Sequence, residues 1–236
     1  MTDERDIKDD LKPSTGDYVY TGLKAGLSTI PVYGGAVTNL LFSIIPSPLE
    51  KRRTKWFEDF DQRLRVLEET VEGFSSKGLA ENQNFISMFL YATNIAIRTH
   101  QEEKLEALRN AVTNSILHPD IDESLQLMFL NLVDRYTPWH LVLIQYLDNP
   151  RKYGESHGIK YPSWSSGGGA AVLEITFPEL KNKREFYDQI VKELFSNGML
   201  NSDTFLHTTM TDQGMFASRT TDMGKQFLAF ITLKTD

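Results

Sequence analysis

The chain contains no cysteine in 236 residues. Disulfide staples, thiolate metal sites and a thiol nucleophile are therefore excluded. Basic charge is also scarce: 25 Lys+Arg stand against 32 Asp+Glu, a formal net charge of −7. A general nucleic-acid binder needs the opposite balance, because Lys and Arg must replace the counterions of the phosphates. There is no HExxH helix, no histidine pair at metal-ligand spacing, no nucleophile elbow and no P-loop. No cofactor, no metal and no catalytic residue is expected, so the chain is not expected to be an enzyme. The opening MTDERDIKDD is acidic, whereas a secretory leader begins with basic residues and then an apolar run. Residues 1–17 are expected to be a flexible acidic tail, and the expected location is the cytoplasm.

One stretch lacks charge of either sign. Ala25 to Leu49 reads AGLSTIPVYGGAVTNLLFSIIPSPL, and EKRR follows it directly. If helical, it is long enough to reach across a bilayer core of about 30 Å. Against that stand Pro31, Gly34, Gly35, Pro46 and Pro48, since broken backbone is costly in lipid. The spacing predicts two short helices, the second apolar nearly all round through Leu40, Leu41, Ile44 and Ile45, and these are expected to be buried in protein. Those four residues, with Lys51, Arg52 and Arg53 after them, are the candidate membrane or partner contact. An anionic leaflet suits the basic trio. The plainer reading is a solvated helix turn with Glu58 and Asp59 a turn later.

Downstream the pattern is helical. Ser47-Pro48-Leu49-Glu50 predicts a capped start for a helix whose stripe is Leu49, Trp56, Phe57, Phe60, Leu64, Leu67 and Val71, with Gly73 as its stop. Its opposite face, including Arg63, is expected to be wet. Further helices are predicted over Leu79–Arg98, from a Thr99 cap to Ile116, from an Asp122 cap through Val133, and from Thr137-Pro138 to Leu147. Asn149 to Gly169 holds two prolines and the run SWSSGGG, which predicts a long loop. Helices over Ala170–Phe177 and Lys183–Asn197, strands at Phe205–Thr211 and Met215–Arg219, and a last helix capped by Thr221 or Asp222 complete the chain. The fold class expected is mainly α: a helical domain over residues 18–136, then a winged-helix-like domain with a small β-hairpin over residues 137–236.

Each chemical motif has a plainer reading that outweighs it. The winged-helix order suggests DNA, with Lys181, Lys183, Arg184 and Lys192 meeting phosphate. Yet residues 170–236 hold seven Lys+Arg and nine Asp+Glu, which favours docking to protein. Gly167-Gly168-Gly169 ahead of a helix could hold a phosphate; a flexible linker accounts for it better. His118, Asp120 and Asp122 are the nearest approach to a metal cluster, at a boundary where cap and turn residues are expected anyway. Trp56 and Trp139 are assigned to the core.

Four segments carry a family resemblance: PSPLEKRR, FLNLVDRYTPWHLVLIQYLDNP, IVKELFSNGMLN and RTTDMGKQFLAFI. In this order, with the apolar Gly/Pro-broken opening, the chain resembles the Abi-alpha family of bacterial abortive-infection proteins. The resemblance implies a role in defence against phage and carries no catalytic residues with it. The expected function is a non-catalytic cytoplasmic interaction protein; the alternative is a membrane-active effector using residues 25–49. The expected partner is a protein or a second copy of the chain. Nucleic acid is not expected, and a membrane enters only on activation.

Overall fold

The computed structural model describes residues 46–233. The chain divides into two compact units, Met1–Thr54 and Lys55–Asp236. Of the first, only the opening turns of helix α1 (Pro46–Thr70) are described. The rest of the description concerns the second.

The second unit is mainly helical. After α1 come a 3-10 turn at Ser76–Glu81, α2 (Gln83–Ala96), α3 (Glu102–Leu117), α4 (Glu123–Arg135), α5 (Pro138–Asp148) and α6 (Pro150–Ser156). Then follow β1 (Ser166–Gly168), α7 (Gly169–Thr176), α8 (Arg184–Ser196), β2 (Thr209–Thr211), the single turn α9 (Asp212–Met215) and α10 (Asp222–Ile231), with 3-10 turns at Pro178–Leu180 and Phe205–His207.

Local chemistry sets most of these limits. Gly73 takes φ +79° just past α1, in the left-handed region that ends helices. Asn82 Oδ1 accepts the Phe85 amide at 3.0 Å to start α2, and Asp122 Oδ1 accepts those of Ser124 and Leu125 to start α4. These side chains satisfy amides that a helix start leaves without intrahelical partners. The Thr99 cap is displaced: α3 begins after Gln101, whose own amide is held by Thr99 Oγ1 at 3.2 Å.

The stripe on α1 faces inward at Trp56, Phe60 and Leu67, all buried. Phe57 departs from the expectation and is 43% exposed. Phe60 meets Phe89 of α2 in a tilted pair with centroids 4.9 Å apart, and Trp56 Nε1 donates to Thr93 Oγ1 at 2.9 Å. Full burial of such a side chain contributes roughly 1.5–3 kcal/mol.

Helix α3 is central rather than amphipathic. Every residue from Ala107 to Ser115 is buried. Its neighbours are α2, α4, α5 and α10. A helix enclosed on all sides must satisfy its polar side chains inside the protein. Asn114 Nδ2 reaches the carbonyls of Ala229, Phe230 and Thr232 at 3.0, 2.8 and 2.9 Å. Asn110 Nδ2 reaches that of Ile231 at 2.9 Å. The end of α10, whose last carbonyls have no intrahelical donors, is thus capped from the middle of a distant helix.

The main core cluster extends from Trp56 to Ile231, and a small second one joins Val172, Met215 and Phe216. The join near 136–137 expected from the sequence falls inside the main cluster, with Tyr136 and Leu141 both members. Helices α7, α8 and α10 with the small ribbon are loosely compatible with a winged-helix-like unit, with β1 standing ahead of α7. The small two-stranded antiparallel pairing is present, with β2 inside the first strand expected and β1, ahead of α7, as its partner. Gly167 pairs with Met210, flanked by Ser166 with Thr211 and Gly168 with Thr209. Met215–Arg219 is not a strand because Thr211 Oγ1 accepts the Gly214 amide at 3.3 Å and turns residues 212–215 into a helical turn. Nor is Asn149–Gly169 one long loop. Asn149 Oδ1 accepts the Lys152 amide at 3.0 Å, Pro150 takes the first helical position, and α6 results. The triglycine is not a flexible linker either. A Cβ on Gly169 would stand 2.8 Å from Phe205 Cδ2, and one on Gly167 2.8 Å from Met215 Sδ. Glycine is there for close packing.

Candidate functional site: an aromatic groove

Leu40, Leu41, Ile44 and Ile45 lie outside the described residues. Lys51, Arg52 and Arg53 sit on the opening turns of α1. Lys51 and Arg53 are exposed, and Arg53 Nη2 is 4.0 Å from Glu50 Oε1. Asp59, the acidic partner expected for this basic run, instead accepts from Arg109 Nη1 at 3.1 Å.

The other candidates from the sequence resolve into structure. Among the described residues no three His, Asp or Glu side chains are grouped to hold a metal ion, and Asp122 serves as a cap. Arg184, expected to meet phosphate, donates through Nε to both Asp188 carboxylate oxygens at 3.0 and 3.1 Å and through Nη2 to the Leu206 carbonyl at 2.6 Å. On the same helix Glu193 accepts from His140 Nε2 at 3.1 Å.

That contact fixes the state of His140, which stacks on Tyr136 with centroids 4.7 Å apart. Its Nδ1 accepts the Thr137 amide at 3.2 Å, so the proton resides on Nε2 and is donated to Glu193. Burial pushes the imidazole below its ordinary value, against the opposing pull of the Glu193 carboxylate. This is a capping box that ties α5 to α8.

A second cluster surrounds α3. Arg109, its side chain 8% exposed, meets Glu102, Glu106 at 3.0 Å and Asp59 at 3.1 Å. Arg63, expected on a wet face, donates to Asn110 and to Glu106, the latter at 2.8 Å. Burial works against the charge of Glu106, but Arg63 and Arg109 outweigh it and hold the carboxyl below its ordinary value. These groups line a cavity of about 590 Å³, yet they are engaged with one another.

A different cavity, of about 560 Å³, opens where α5, α6 and the end of α7 meet. That is within the range of about 300–1,000 Å³ usual for ligand sites. Its walls are Trp139, Tyr153, His157 and Phe177, and Glu103 and Glu179 also line it. Trp139 stands perpendicular to Phe177 (90°, centroids 5.6 Å), and Tyr153 lies 5.6 Å from the same ring. His157 stacks flat on Tyr153 at 4.1 Å, its Nδ1 donating to the Tyr153 carbonyl at 2.7 Å. Burial raises the Tyr153 phenol, and the Glu179 carboxylate raises it further. Both glutamates are exposed, and among the described residues no lysine or arginine lines the groove. The sequence did not reveal this site. Trp139, expected in the core, packs half-buried against it and also walls the groove; Tyr153 on α6 and His157 just past its end fall in the segment expected to be a loop.

Comparison with protein families, with curated proteins and with solved structures finds no match to the chain.

Proposed function

We propose that the chain is a non-catalytic interaction protein of the bacterial cytoplasm, acting in defence against phage, and that a partner protein engages it at the aromatic groove. The observation carrying this reading is the contrast between the groove and the rest of the polar surface. The ionic groups described above on α1, α3, α5 and α8 are committed to one another, whereas the groove offers half-buried rings, Trp139 and Tyr153, and exposed carboxylates. The resemblance to the Abi-alpha family supplies the defence context. The winged-helix-like C-terminal part then serves to dock protein, in keeping with its acidic balance and with an Arg184 held by Asp188.

The test is phage plating on bacteria expressing the full chain. Wild type is expected to lower plaque counts, and Trp139→Ala is expected to lose that protection while keeping the wild-type circular dichroism. Protection untouched by Trp139→Ala would remove the groove from the function; no protection against a broad phage panel would remove the defence role. A membrane-active effector using residues 25–49 is the competing reading, and it rests on their lack of charge. Among the described residues no helix is long and apolar enough to cross a membrane. Liposome flotation of the full chain separates the two readings.

A further inference from the structure

From the ring geometry and the charge of the groove we infer that its occupant is an arginine side chain presented by the partner protein. This rests on the interaction reading above and specifies the chemistry of the contact.

Three observations lead there. The first is the set of π faces. A ring face carries negative potential and attracts a cation within about 6 Å of its centroid. Trp139 and Phe177 meet at a right angle, with Phe177 as the buried floor; half-buried Trp139, and Tyr153 on the side not covered by His157, supply ring surface to the groove.

The second is the sign of the charge. Glu103 enters from the first turn of α3 and Glu179 from the 3-10 turn after α7, and among the described residues neither lysine nor arginine opposes them in the lining. An anion would meet two like charges here. A neutral apolar ligand would leave carboxylates beside it that must keep their water. A cation with flat apolar faces meets both demands.

The third is shape. A guanidinium is planar, stacks on aromatic rings and donates in a fork that matches a carboxylate, whereas an ammonium is compact and strongly hydrated. Perpendicular rings flanked by two carboxylates suit the planar group: stacking on one ring leaves its edge free to donate to Glu103 or Glu179. The groove is open rather than enclosed, as an arginine on a polypeptide requires.

The experiment titrates the full-length, ¹⁵N-labelled protein with N-acetyl-arginine amide and follows the indole resonances of its three tryptophans. The Trp139 indole is expected to shift in a saturable manner at millimolar probe, while Trp56, buried in the core, and Trp164 stay in place. N-acetyl-citrulline amide, which keeps the shape and loses the charge, is expected to bind at least about fivefold more weakly. Glu103→Gln with Glu179→Gln, both at exposed positions, is expected to weaken the arginine probe about three- to tenfold, and added salt to weaken it further. An unmoved Trp139 indole, or equal binding of the citrulline probe, overturns the inference. Loss of protection in Trp139→Ala cells combined with no arginine binding would leave the interaction reading standing and reject the arginine. Arginine binding without any role for Trp139 in protection would do the reverse.

Discussion

Asn114, buried in the middle of α3, holds the carbonyl oxygen of Phe230 at 2.8 Å. With Ala229 and Thr232 also in reach, one amide stands in for the donors that the end of α10 lacks. Leucine at this position has similar bulk and no donor. Asn114→Leu is expected to cost about 1–3 kcal/mol for each carbonyl left buried and unpaired, measured as a lower urea midpoint. A midpoint unchanged within about 0.5 kcal/mol would mean that water replaces the amide without loss.

Two phenylalanines three residues apart on α1 are expected to behave oppositely. Phe60 is 3% exposed and Phe57 is 43% exposed. Phe60→Ala is expected to destabilise by about 3–5 kcal/mol. Phe57→Ala should fall below about 1 kcal/mol, near the range of surface changes. Parallel denaturant titrations check both, and equal losses would show that the exposed ring contributes as core.

His140 sets a pH dependence with a definite sign. Burial keeps its folded-state value below that of the unfolded chain. The unfolded state therefore binds more protons as pH falls below about 6.5. The associated stability is present above that pH and is lost as pH drops through the lower folded value. His140→Gln removes the titration and keeps a side chain able to complete the capping box. Urea titrations between about pH 5 and pH 7 should show a wild-type stability that rises with pH, by at most about 1.4 kcal/mol per unit from this group. The slope in His140→Gln should be smaller. Parallel slopes would assign the dependence to other groups.

Periodicity made the helices legible. Apolar residues at three- and four-residue steps located α1, α2, α4, α5 and α8, and Asp122, Thr137 and Thr221 marked starts through chemistry that is local to the chain. Three features were hidden for a common reason: each depends on contacts distant in sequence. The enclosure of α3 depends on Asn110 and Asn114 meeting the end of α10, more than a hundred residues on. The pairing of β1 with β2 depends on glycines that read as a linker until Phe205 and Met215 are placed beside them. The groove assembles Trp139, Tyr153 and Phe177 from three elements, and only the last of these rings is buried. Trp139 carried no mark to separate a groove wall from a core ring.

Residues 157–165, with Lys160 exposed among them, form the link between α6 and β1. Several polar contacts of the interior run across this link: Asn114 to Phe230, His140 to Glu193, and Asp148 to Thr220 at 2.5 Å. Each side supplies walls to the other's core, with α3 packed on α10 and α5 on α8. The peptide bonds of the link therefore act as a tether between two mutually dependent halves. Severing them would forfeit the high effective concentration that a tether provides and leave the shared interior in place. In this sense the single chain is built like an obligate heterodimer whose subunits happen to be translated together.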